Sequence, residues 1–172
     1  MDIQIDENRI GLYITDVSGH GVSSAFVTIL VMAYFTQCLE VFRRDHGDVI
    51  LRPERMLKRI NDYMILQQLD KHLTIFYGVL DLTRNRLRFA NGGQFPYPAF
   101  YDGQKARFLE EHGPAVGLFD FAEYESTEIE LPPEFNITIL SDGVLDTLTT
   151  TEPADRETSL LPLVADPNLS IG

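Results

Sequence analysis

Two aspartates stand in matched surroundings. Asp16 closes the run Ile10-Gly11-Leu12-Tyr13-Ile14-Thr15 and is followed by Val17-Ser18-Gly19-His20-Gly21; Asp142 closes Ile137-Thr138-Ile139-Leu140-Ser141 and is followed by Gly143-Val144-Leu145-Asp146. Each carboxylate ends an apolar stretch and enters a glycine-containing turn, where a backbone carbonyl can approach a ligand closely. Oxygen donors of this kind suit hard cations such as Mg²⁺ and Mn²⁺. Two such ions, roughly 3.5 to 4 Å apart, activate a water and clamp a phosphoryl group during in-line displacement. An isolated Asp-Gly is more often only a turn or a cap. Two in matched contexts favour a shared metal site, provided that their strands end on the same side of a sheet.

The surrounding pattern supplies those strands. Ile10, Leu12 and Ile14 alternate with Gly11, Tyr13 and Thr15, a period-2 strand ending at Asp16, and the turn residues 6 to 8 pair it with Ile3 to Ile5 as a hairpin. Helical spacing then runs from Val22 to Phe42, with Ser18 or Ser23 available as N-cap and Arg43 and Arg44 favourable at the C-terminal end. The absence of charge makes this helix read as largely buried. Pro53 opens a second, amphipathic helix through Met56, Leu57, Ile60, Met64 and Gln67. Leu73 to Leu82 and Arg86 to Asn91 read as strands of an antiparallel meander that continues through 96–101, 105–110, 124–131 and 136–141. Helices grouped around a strand-rich middle predict an α+β fold of antiparallel sheets.

Composition narrows the function. The 172 residues fit one globular domain with a sizeable core. A net charge of -12 excludes nucleic acid and anionic membrane surfaces as partners, since those need clustered Lys and Arg. Gly19 to Leu39 carry no charge, nearly the length of a membrane span, but interspersed polar residues favour a protein helix over a bilayer one. The single cysteine, Cys38, reads as a buried, inert thiol, and with an acidic N-terminus unlike a signal peptide this predicts a cytoplasmic location.

Three segments resemble one family. TDVSGHGVSSAFVT resembles the D-V-S-G-[HK]-G-x-x-[AS]-A motif of the SpoIIE-type branch of the PPM family, the bacterial metal-dependent serine/threonine protein phosphatases. FYGVLDLTRNRLRFANGG and ILSDGVLD are similar to two further motifs of that branch, in the family's order. Output domains of RssB-like bacterial response regulators are the subgroup it most resembles. The resemblance implies an α-β-β-α sandwich of two antiparallel sheets flanked by helices, with two Mn²⁺ or Mg²⁺ ions at one edge. Asp16 would bridge both ions, the Val17 carbonyl would bind one, Asp142 would bind one, and Asp146 would be an outer acid near a weaker third position. His20 is read either as orienting a metal-bound water or as a loop histidine without function. The implied substrate is a phosphoprotein, such as an anti-sigma-factor antagonist, with an upstream regulatory domain and a homodimer as further expectations.

The pattern also departs from the family. Gln94 stands where the family has histidine, so any role of that histidine is absent. The family carries a G-G-D motif on the strand before Asp16 and another acid near its C-terminus. With the hairpin turning at residues 7 and 8, the position across from Asp16 falls before Met1, so Asp2 and Asp6 are poor substitutes. Residues 1–172 are thus expected to be a single phosphatase-like domain without the first metal-motif strand and the C-terminal acid, binding metal weakly and turning over poorly. The competing reading is a catalytically degenerate phosphatase-like module that binds a partner. A dinucleotide-binding enzyme is a distant third, because the glycine pattern lacks its third glycine and the βαβ order.

Overall fold

The computed structural model describes residues 1–141, 143 and 160–164. Its contacts divide into two compact units, Met1–Gln94 with Glu111–Glu130, and Phe95–Glu110 with the residues from Leu131 on. In the first unit β1 (Asp2–Gln4), β2 (Arg9–Val17), β3 (Leu73–Asp81), β4 (Arg86–Gly92) and β7 (Thr127–Glu130) form an antiparallel sheet in the order β1-β2-β3-β4-β7. In the second, β6 (Ala106–Phe108), β5 (Ala99–Tyr101) and β8 (Asn136–Thr138) form a three-stranded antiparallel sheet in the order β6-β5-β8. The expected meander is therefore interrupted. After β4 the chain leaves for the second sheet and returns as β7, because pairing partners are chosen by tertiary packing that strand propensity does not encode.

Two helices of the first unit, α1 (Val22–Asp45) and α2 (Pro53–Leu66), cover one face of the larger sheet, joined through a 3-10 turn at Val49–Leu51. Alternation along β2 and β3 turns Tyr13 and Tyr77 towards them. Tyr13 stacks on Phe35 with ring centroids 4.7 Å apart, and Phe35 meets Tyr77 edge-on at 5.0 Å. The Tyr77 hydroxyl, buried beneath them, donates to the Ile50 carbonyl at 2.6 Å. Met56, Leu57, Ile60 and Met64 add the buried stripe of α2, whose Glu54 is tied to Arg88 of β4 at 3.1 Å. On the opposite face of the sheet Phe76 and Phe89 stack at 5.5 Å.

Two expectations for α1 are corrected. Its N-cap is Gly21, with no side-chain cap, instead of Ser18 or Ser23. The Ser18 hydroxyl instead accepts the His72 N–H at 3.1 Å, and Ser24 Oγ donates to the Ser18 carbonyl. Nor is the helix largely buried. Ser24, Val27, Val31, Phe35 and Cys38 form a single buried stripe, since one sheet face can cover only one side of a helix. The other side leaves Val22 88%, Phe26 54%, Ile29 62% and Met32 44% exposed. By length and composition α1 would also suffice to cross a bilayer, although its buried stripe joins the core of the first unit. Cys38 is buried as expected, and burial pushes its thiol pKa up.

In the second unit Phe100 and Phe135 stack at 6.2 Å, the Arg107 guanidinium lies over the Phe100 ring, and the short helix α3 (Leu160–Val164) packs on β5 and β6.

Candidate metal centre

Asp16 is the penultimate residue of β2, directly opposite Thr74 of β3. The strand alternation that buries Tyr13 and Val17 against the helices turns Asp16 to the other face, where it is exposed and makes no hydrogen bond or ion pair among the described residues. Val17 follows with its side chain buried. The direction of its carbonyl follows from the ladder. Tyr13 exchanges both backbone bonds with Met1, at 2.9 Å each, whereas Ser18 N–H goes to His72 on the β3 side. In an antiparallel strand backbone groups alternate between neighbours, so Val17 shares Tyr13's direction and faces the β1 edge. Pairing with β1 is described as far as Tyr13, and the Val17 carbonyl, beside Asp16, has no backbone partner among the described residues.

An anionic and a neutral oxygen side by side at an accessible strand end are a donor set that fits a hard divalent cation. Asp142 and Asp146 lie outside the described residues. Among the described residues no group of three His, Cys, Asp or Glu side chains is gathered for a metal. Asp2 pairs opposite Leu12, four residues short of Asp16 and so roughly 13 Å away along the strand. Asp6 is bound to Arg9, which holds its carboxyl below the ordinary range by a side-chain hydrogen bond. Neither reaches Asp16, in agreement with their reading as poor substitutes.

The turn after Asp16 is built by Gly19 and Gly21, at φ +78° and +93°, conformations that a side chain would strain. His20 between them is exposed. Gln94, in the family's histidine position, is 4% exposed and clamped by Asn91: its N–H donates to Asn91 Oδ1 at 2.7 Å, and its carbonyl accepts from Asn91 Nδ2 at 3.0 Å. Thr74, the cross-strand neighbour of Asp16, donates its hydroxyl to Gln94 Oε1 at 3.2 Å. Sequence spacing did not reveal Thr74 or Lys71, which rests its ammonium against Gly19. Both become visible only once the β2–β3 register is known.

The fold is that of PP2C phosphatase domains. It matches the SiaA-PP2C domain of Pseudomonas aeruginosa with TM-score 0.72 at 21% identity, over 94% of this chain and 64% of that one. RsbX, solved in complex with magnesium, matches with TM-score 0.60 at 12% identity, over 92% of this chain and 75% of that one. Residues 6–169 match the family model described as Stage II sporulation protein E, and the chain belongs to this SpoIIE family. Its fold class is accordingly that of PP2C phosphatase domains. Among curated proteins it is similar to phosphoserine phosphatase RsbP of Bacillus subtilis (strain 168), 29% identical over 148 residues, which are 83% of this chain and 35% of RsbP. The chain spans about a third or less of the length of the curated relatives it matches.

Proposed function

We propose that residues 1–172 form one metal-dependent phosphatase domain that hydrolyses phosphoserine or phosphothreonine in a signalling protein of the cytoplasm. In this reading Asp16 would be the ligand shared by two Mn²⁺ or Mg²⁺ ions, the Val17 carbonyl and Asp142 would each supply a further donor, and Asp146 would serve an outer position. Such ions, when bound, supply an activated water and positive charge opposite the phosphoryl oxygens. The chain's own part is positional. The β2–β3 ladder fixes the Asp16 backbone, the Gly19–Gly21 turn carries the chain away into α1, and Thr74 is held on its neighbouring strand by Gln94. The observation that carries the reading is the exposed Asp16 carboxylate, which has no partner among the described residues, beside the Val17 carbonyl within the family's signature segment. The phosphoprotein would be the partner of an anti-sigma factor or a comparable regulator, and an upstream regulatory domain and a homodimer belong to the same reading.

Asp16→Asn removes the charge at constant size and touches no hydrogen bond among the described residues. Manganese-dependent hydrolysis of a phosphoserine peptide should fall to the level of the metal-free control, with an unchanged circular-dichroism spectrum. Retained turnover would remove Asp16 from the site. A protein extended at both ends that captures a partner yet hydrolyses nothing with any divalent ion would establish the binding-module reading instead.

A further inference from the structure

Beside the turn that follows Asp16 lies a cradle for a cation. A Cβ built on Gly19 would stand 2.8 Å from Lys71 Nζ, so the ammonium occupies the place a side chain would take. The two segments are locked together next to it: Ser18 N–H donates to the His72 carbonyl at 2.9 Å, and His72 N–H donates to Ser18 Oγ at 3.1 Å. Arg9 pairs with Asp6, Arg52 with Asp48, Lys58 with Asp62 and Arg88 with Glu54, whereas Arg59, Lys105 and Arg107 form no ion pair among the described residues. Lys71 forms no ion pair among the described residues, although the chain has 26 carboxylates to 14 Lys and Arg. An ammonium beside the turn after Asp16, with no carboxylate paired to it among the described residues, is complementary to an anion from outside.

Next to the ammonium opens a cavity of about 340 Å³ lined by Ser23, Phe26, Val27, Leu69, Asp70 and Lys71. Phe26 is 54% exposed and Leu69 partly so, giving an apolar wall with a cation at one end. Gly19 is the third residue after Asp16, at most roughly 10 Å of extended chain away. That is within the span of a phosphoserine and the residues flanking it. Asp70 on the rim, exposed, disfavours an anion that does not reach the lysine itself.

We propose that Lys71 determines substrate specificity, its ammonium receiving an anionic oxygen of a phosphoserine peptide while Phe26 and Leu69 take a neighbouring apolar side chain. The inference rests on the phosphatase reading of Asp16. The anionic oxygen belongs either to the phosphoryl group or to a carboxylate flanking the serine, and the test separates the two.

Binding is read by fluorescence anisotropy without divalent ions, on four labelled peptides: serine or phosphoserine beside a leucine, each with a flanking Glu or Gln. Lys71→Met keeps the aliphatic stem, and Lys71→Arg keeps the charge. The methionine variant should bind about tenfold more weakly, the loss of one charge-assisted hydrogen bond, and the arginine variant within about threefold of wild type. A loss that follows the phosphate assigns the phosphoryl group, and one that follows the glutamate assigns the flank. Equal binding by Lys71→Met and wild type, or a wild type that binds none of the peptides, overturns the proposal. Hydrolysis with Mn²⁺ is followed in parallel on a protein extended at both ends: lysine-dependent binding without turnover there would overturn the phosphatase reading while leaving Lys71 as the anion contact.

Discussion

Asn61→Ala tests how the loop between β6 and β7 is held to α2. Asn61 is fully buried, donates from Nδ2 to the Phe119 carbonyl at 3.0 Å, and accepts the Gly117 N–H on Oδ1 at 2.8 Å. The Tyr124 hydroxyl approaches the same oxygen at 3.5 Å, too long to count for much. Each of the two good bonds is worth about 1 kcal/mol net. A stranded donor or acceptor normally adds a further 1 to 3 kcal/mol or so, but Gly117 and Phe119 are partly open and water recovers most of it. The expected loss is therefore about 2 kcal/mol, which lowers Tm by roughly 4 to 8 °C in a chain of this size. Urea unfolding followed by circular dichroism should show a lower midpoint with an unchanged slope, because the same surface is exposed on unfolding. A loss below about 0.5 kcal/mol, the range of ordinary surface substitutions, would refute the view that Asn61 pins the loop.

Tyr77→Phe removes the hydroxyl bonded to the Ile50 carbonyl, and both residues are buried. It should cost about 1 to 2 kcal/mol in the same urea assay, and an unchanged midpoint would mean that the bond is not formed in solution. Burial also pushes this phenol far above its usual range, so the wild-type tyrosine should stay protonated in alkaline absorbance titrations until the protein unfolds. For Asp6 the folded pKa is depressed, chiefly by its hydrogen bond to Arg9, so its contribution is present above the ordinary carboxylate range and is lost as pH falls through the folded value. Asp6→Asn should accordingly lower stability at pH 7 by no more than about 0.5 kcal/mol, given its exposure, and the difference should vanish in acid; a difference that persisted there would assign the effect to the turn itself.

Much of the first unit was legible in the chain. Period-2 alternation located β2 and β4, β-branched and aromatic content located β3, proline at the first turn opened α2, and Asp16 in its glycine turn lay within the family's signature. These are local features, fixed by backbone sterics and by the side-chain periods of strand and helix. Charge-free sequence misled at α1, because hydrophobicity records which residues tolerate burial, while the number of packing faces decides which are buried. Strand propensity likewise could not tell that β5 and β6 leave the first sheet and that β7 returns to it, since partner choice rests on contacts distant in sequence. At the site, the sequence supplied Asp16 and Val17 as donors. Only the tertiary structure decided which face of the sheet the helices cover, and so turned the Asp16 carboxylate away from the core, and it laid the Lys71 ammonium in the space of a missing Cβ, a placement that depends on the register between strands separated by more than fifty residues.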